Sequence, residues 1–120
     1  MTEPGDPIEG QILLLTAAKA SVPPERLPNL VDRAQTLLAP RRERYRREFE
    51  RVFADDDHEA FLVAWGHWDD LGEELELTER ETAAVRRAHE EQVRRIGRRQ
   101  DREEEFETAF EIREPVLIAR

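Results

Sequence analysis

Apolar residues recur every three or four positions along most of the chain, which is the spacing of one face of a helix. The first helix is predicted to begin at Asp6, a good capping residue, with Pro7 at the first helical position. It runs through Ala20. The sequence Val22-Pro23-Pro24 then ends it, because a residue that precedes proline avoids helical angles.

Leucines at the same spacing predict a second helix over 25–39. Pro40 either kinks this helix or opens a third, since proline is tolerated in a first helical turn. The apolar face of the third helix would consist of Tyr45, Phe49, Val52 and Phe53.

The clearest local signal is a capping box, in which the Thr78 hydroxyl and the Glu81 carboxylate satisfy each other's backbone N–H groups. No proline follows until Pro115, so the pattern predicts one long helix over 78–114, about 50 Å in length. Its middle is almost wholly polar, and Gly97 is a place where it could bend.

These elements together predict an all-α fold, a small helical bundle with a long C-terminal helix. Residues 1–5 are predicted to be a disordered start, and residues 6–120 a single helical domain. Residues 60–65 and 116–119 also fit short strands, and the pattern leaves that alternative open.

Composition narrows the class of protein. Charged residues make up 39% of the 120 residues, and the net charge of −9 disfavours general attraction to nucleic acid or to anionic membranes. No run is long and apolar enough to span a bilayer. The absence of cysteine rules out disulfides and favours the cytoplasm. Excess acid, with Lys19 as the single lysine, resembles chains from halophilic microbes.

The histidines are the natural place to look for chemistry. Asp55, His58 and Glu59 lie together, but a metal site needs three or four ligands in defined geometry, and acids at this position are more simply a solvated helix start. His67 has no nucleophile nearby, since Ser21 is the only serine. The glycines form no phosphate-binding loop. We therefore predict no enzyme, metal, cofactor or small-molecule substrate.

Trp65 and Trp68 suit either a partner-binding hot spot or the core. The chain has only eight aromatic residues, so we expect both tryptophans in the core, where they contribute most burial.

The segment 66–102 has the outline of a helix-turn-helix, and its second helix is locally basic. This favours a DNA-binding transcriptional regulator as the alternative function. The arginines that share one side of that helix, and would contact phosphates, are Arg80, Arg87, Arg94 and Arg98.

The leading prediction is a non-enzymatic interaction or regulatory module that binds a protein partner or forms a homodimer through the C-terminal helix. An extended helix would expose the apolar residues at its far end, and contiguous exposed apolar surface marks a contact. The predicted interface consists of His89, Gln92, Ile96, Phe106, Phe110, Val116, Leu117 and Ile118.

Overall fold

The computed structural model describes residues 6–120, so the predicted disordered start at 1–5 lies outside it. The helices are α1 (Gly10–Ala20), α2 (Arg26–Leu38), α3 (Arg42–Glu48), α4 (His67–Glu74), α5 (Glu79–Arg99) and α6 (Glu103–Ala109), with a 3-10 turn at Ala39–Arg41. The strands are β1 (Glu50–Ala54), β2 (His58–Ala64) and β3 (Arg113–Ala119).

The all-α prediction is wrong, because the chain is α+β with an antiparallel sheet in the order β1-β2-β3. In β2 the run Phe61-Leu62-Val63 is buried on both faces, as is typical of a central strand. The apolar residues of 61–75 follow helical spacing although they belong to two elements, because the end of β2 is followed closely by α4. The strand alternatives at 60–65 and 116–119 are the ones that the structure contains.

The predicted third helix is also shorter than the pattern indicated. It ends at Glu48, because Phe49 adopts extended angles and starts the approach to β1. The residues Val52 and Phe53 belong to β1, which pairs with β2 and has an irregularity in register between Arg51 and Phe53.

The prediction of one helix over 78–114 is wrong as well. It begins at the predicted capping box but ends at Arg99, and the chain reverses through Asp101, which has a φ of 58°. The Arg102 backbone N–H donates to the Gly97 carbonyl at 2.7 Å and closes this reversal. Helix α6 then returns, and Phe106 packs directly on Gly97, where a side chain would collide with the ring.

Strand β3 forms an edge of the sheet, yet side chains from helices cover its free backbone groups. Gln35 donates to the Leu117 carbonyl at 2.7 Å and accepts from the Ala119 N–H at 2.9 Å. Pro115 has no N–H to leave open, and its carbonyl accepts from the Trp68 indole at 2.9 Å. This covered edge cannot template the addition of another strand.

Helix α5 is the centre of the fold and contacts α1, α2, α4, α6 and β3. On one side it holds α1, whose buried face consists of Ile12, Leu13, Thr16 and Ala17. Because α1 forms an outer layer, its opposite side faces away from the body of the protein. Within residues 6–120, no helix combines the length and the apolar character needed to cross a membrane.

Candidate interaction surfaces

The eight residues predicted to form the interface are all buried within the chain itself. His89 shows why. Its Nδ1 accepts a hydrogen bond from the Leu117 N–H at 3.0 Å, and its ring lies 4.5 Å from that of Trp68. Burial lowers the pKa of His89 to about 3, so the ring is neutral and serves the core.

Gln92, another residue of the predicted interface, is a buried partner for the chain that leads into α1. Its side chain accepts from the Glu9 N–H at 2.8 Å and donates to the Glu9 carboxylate, also at 2.8 Å. Arg95 and Arg99 bind the same carboxylate at 3.1 and 2.9 Å. Burial alone would raise the pKa of Glu9, but these hydrogen bonds outweigh it and lower the pKa to about 2.

The apolar residues of the predicted interface that follow α5 are buried against other parts of the same chain. Phe106 and Phe110 stack with ring centroids 6.4 Å apart, below the guanidinium groups of Arg102 and Arg94 respectively. Residues Val116, Leu117 and Ile118 are fully enclosed in β3. The physical reason for proposing association through the C-terminal helix is therefore removed.

The histidines make local contacts. His58 Nδ1 lies 2.7 Å from Asp55 Oδ1, which also accepts the backbone N–H groups of Asp57 and His58 in the turn between β1 and β2. The neighbouring Glu59 is fully buried and accepts hydrogen bonds from Arg46 and Arg51, so it does not join this pair. Among residues 6–120 no group of three or more potential ligands could hold a metal ion.

His67 forms a second such contact, with its Nε2 lying 2.5 Å from the Tyr45 hydroxyl. Burial raises the pKa of Tyr45 to about 12 and lowers the pKa of His67. Both groups are therefore neutral near neutral pH, which fits a hydrogen bond that joins α3 to α4.

The four arginines of the DNA-binding alternative do share the outer side of α5, but they are not equally available. Arg94 binds Glu91 and Glu107, each at 2.7 Å, and Glu90 lies 3.9 Å away. The exposed ones are Arg80, Arg87 and Arg98. Acidic neighbours thus neutralise the middle of the predicted phosphate-binding row.

The surface that sequence reasoning missed is the outer side of α1. Leu14 and Leu15 are 60% and 58% exposed. With Gln11, Ala18 and Lys19, which are also exposed, they form what we call the α1 face. The available signal was composition: Lys19 is the only charged residue between Gly10 and Ala20, in a chain that is 39% charged.

A groove borders the α1 face where α1 meets α5. Its volume is about 150 Å³, and it is lined by apolar, polar and cationic side chains and one acid: Ile12, Leu15, Thr16, Lys19, Glu91, Arg95 and Arg98. The acid, Glu91, is paired with Arg94 at 2.7 Å. Within the described chain, no ion pair engages Lys19 or Arg98. This edge of the protein is thus apolar and cationic, although the whole protein carries a net charge of −9.

A second exposed apolar patch lies at one end of the sheet. Trp65 and Ile112 are 63% and 70% exposed. The last pair of the β2–β3 ladder is Ala64 with Arg113, so these two residues come next at the same end; we call them the Trp65 patch. Trp68 is buried as expected, but the expectation that Trp65 lies in the core is wrong.

With this geometry in view, comparison with known proteins gives a family. The model of the family described as "Domain of unknown function (DUF8048)" matches residues 6–120, so the chain belongs to that family. No curated protein and no solved structure matched significantly.

Proposed function

We propose that this protein is a non-enzymatic interaction module of the cytoplasm that self-associates, and that the α1 face is the surface through which it does so. The observation that carries the proposal is the exposure of Leu14 and Leu15 side by side on a helix face without an acidic residue. Single exposed apolar residues are ordinary, whereas contiguous exposed apolar surface is typical of contact sites.

The rest of the surface supports the choice of α1. Apart from the Trp65 patch, exposed positions elsewhere carry mostly charged side chains, and the large apolar residues of α6 and β3 lie in the core. A contact on the α1 face would remove two leucines from water. Full burial of a fully exposed leucine is worth about 1.5–3 kcal/mol, and these two, at 60% and 58% exposure, would contribute part of that. An eleven-residue helix is only about 16 Å long, so we expect a weak contact that depends on concentration.

The test is the mass of the protein in solution. Sedimentation equilibrium from about 1 μM to about 1 mM, which spans weak protein contacts, should show species heavier than the 14.1 kDa chain. The double variant Leu14→Glu, Leu15→Glu should stay at the mass of one chain. Its control is Thr36→Glu, Ala39→Glu, which adds the same charge at exposed positions on and after α2.

The control should associate like the unaltered protein. A single 14.1 kDa species at every concentration would reject self-association. Equal association of the unaltered protein and the Leu14→Glu, Leu15→Glu variant would reject the α1 face as its site.

A further inference from the structure

The backbone beside Trp65 is held in place by hydrogen bonds, although the Trp65 side chain is exposed. Gly66, which follows the tryptophan, has a φ of 95°, an angle that favours glycine. The buried Glu114 carboxylate accepts the Gly66 N–H at 3.1 Å and the Trp68 N–H at 2.9 Å. The backbone that follows Trp65 is thus fixed, so little backbone freedom would be lost when the indole is covered.

The charges around the two patches are opposite in sign. Exposed Asp69 and Asp70 lie in the first turn of α4, just beyond Trp65, and exposed Glu111 precedes Ile112. Arg113, which follows Ile112 in the chain, is occupied by Glu50 at 2.7 Å. The α1 face instead has Lys19 and, across the groove, Arg98. Arg95 also lines the groove, but it is occupied by Glu9.

We infer that the α1 face of one copy docks on the Trp65 patch of a second copy, so that the contact is head-to-tail. This inference rests on the proposed function, and it adds the identity of the opposing surface. Two features of the chain support it: each patch has two large exposed apolar side chains, and the cations beside one patch match the acids beside the other.

A symmetric contact of two α1 faces is the competing arrangement. It would bring Lys19 and Arg98 of both copies to one interface, where α1 has no acid and the acid of the groove, Glu91, is already paired with Arg94. An exposed tryptophan, by contrast, is the best aromatic partner for a lysine or arginine cation. The charges therefore favour the head-to-tail arrangement.

A head-to-tail contact leaves one free patch at each end of a pair, so it generates rings or growing chains. The unaltered protein should form species beyond the dimer as its concentration rises. A symmetric contact would stop at two copies, because it consumes the α1 face of both.

Mixing two variants tests the inference directly. The first is Leu14→Glu, Leu15→Glu, which loses the α1 face and keeps the Trp65 patch. The second is Trp65→Ser, Ile112→Ser, which loses the patch and keeps the α1 face. All four positions are more than half exposed, so unfolding midpoints should match that of the unaltered protein.

Each variant alone should remain a single chain, with a dissociation constant for self-association raised at least tenfold. The two together should form a 1:1 pair that does not grow further. If the Trp65→Ser, Ile112→Ser variant still forms dimers alone while the α1 variant does not, the head-to-tail inference is overturned and the proposed function stands. If the unaltered protein stays a single chain, both fall.

Discussion

Helix α1 and the segment from Phe106 to Ile118 both carry several large apolar side chains, which have opposite fates except at the exposed Ile112. In the C-terminal segment Phe106, Phe110 and the centre of β3 are enclosed by the protein's own elements. In α1 one side is enclosed by α5, while Leu14 and Leu15 on the other side face solvent.

The difference lies in what the chain places next to each segment. The reversal after Arg99 returns α6 onto α5, and β3 joins the sheet, so both obtain neighbours on several sides. Helix α1 belongs to the outer layer, and no described element covers its outer side. An apolar residue is thus available to a partner when its element lies in the outer layer and its side chain points away from the core.

The largest effect should come from removing an enclosed ring of the C-terminal segment. Phe106→Ala should lower the free energy of unfolding by about 3–5 kcal/mol, because it leaves a cavity against Gly97. Ile112→Ala is the matched control, since Ile112 is 70% exposed and its truncation should cost less than about 0.5 kcal/mol. Chemical denaturation measures both, and equal losses would contradict the contrast.

The close approach of α6 to α5 can be tested at Gly97. A Cβ there would lie 2.7 Å from a ring carbon of Phe106, so Gly97→Ala should destabilise the protein by about 1–3 kcal/mol through overpacking. Gly10→Ala places the same methyl group at the start of α1, where nothing lies within 4 Å. The thermal midpoint should fall for the first variant alone.

The covered edge of β3 should give a somewhat smaller effect. Gln35→Ala removes two hydrogen bonds to β3 and should cost about 1–2 kcal/mol. It should also speed hydrogen exchange at the Ala119 amide, which loses its acceptor. The control is Gln100→Ala, which removes an exposed glutamine side chain. In this variant the Ala119 amide should exchange at the same rate as in the unaltered protein.

The smallest effect concerns Glu9, which anchors the start of α1. Its pKa of about 2 in the folded protein lies below the ordinary value of 4.5. The stabilisation is therefore complete above about pH 4.5 and is lost as the pH falls toward 2. Because the side chain is 36% exposed, water screens part of the interaction.

Glu9→Gln should accordingly be less stable than the unaltered protein near neutral pH, and the two should converge in acid. Glu73→Gln, at an exposed position on α4, is the control. A stability difference for Glu9→Gln that stays constant from neutral pH to about pH 2 would show that the anchoring carboxylate is not the cause.

Local signals in the sequence predicted individual elements better than their arrangement. The box formed by Thr78 and Glu81 is confirmed, with hydrogen bonds of 3.1 and 3.0 Å, because both partners lie within one turn. The prolines after Val22 also separate α1 from α2 as predicted. Such features depend only on neighbouring residues.

The remaining features depend on contacts between distant residues. Strand β2 pairs with β3 across about fifty residues, and no short window of sequence records that pairing. The end of α5 is marked only by Gly97, whose role becomes clear when Phe106 packs on it. Trp65 shares the helical spacing of Phe61, Trp68 and Leu71, which are all buried, so its exposure could not be predicted.

The most direct test compares the chemical reactivity of two apolar positions, one buried by the protein's own elements and one that we expect a second copy to bury. The chain has no cysteine, so a single introduced thiol can be labelled without background. Leu15→Cys should react readily at low protein concentration and become protected as the concentration rises. Val116→Cys, in the enclosed β3, should resist labelling at every concentration. Concentration-dependent protection of position 116, with position 15 equally reactive throughout, would contradict the account.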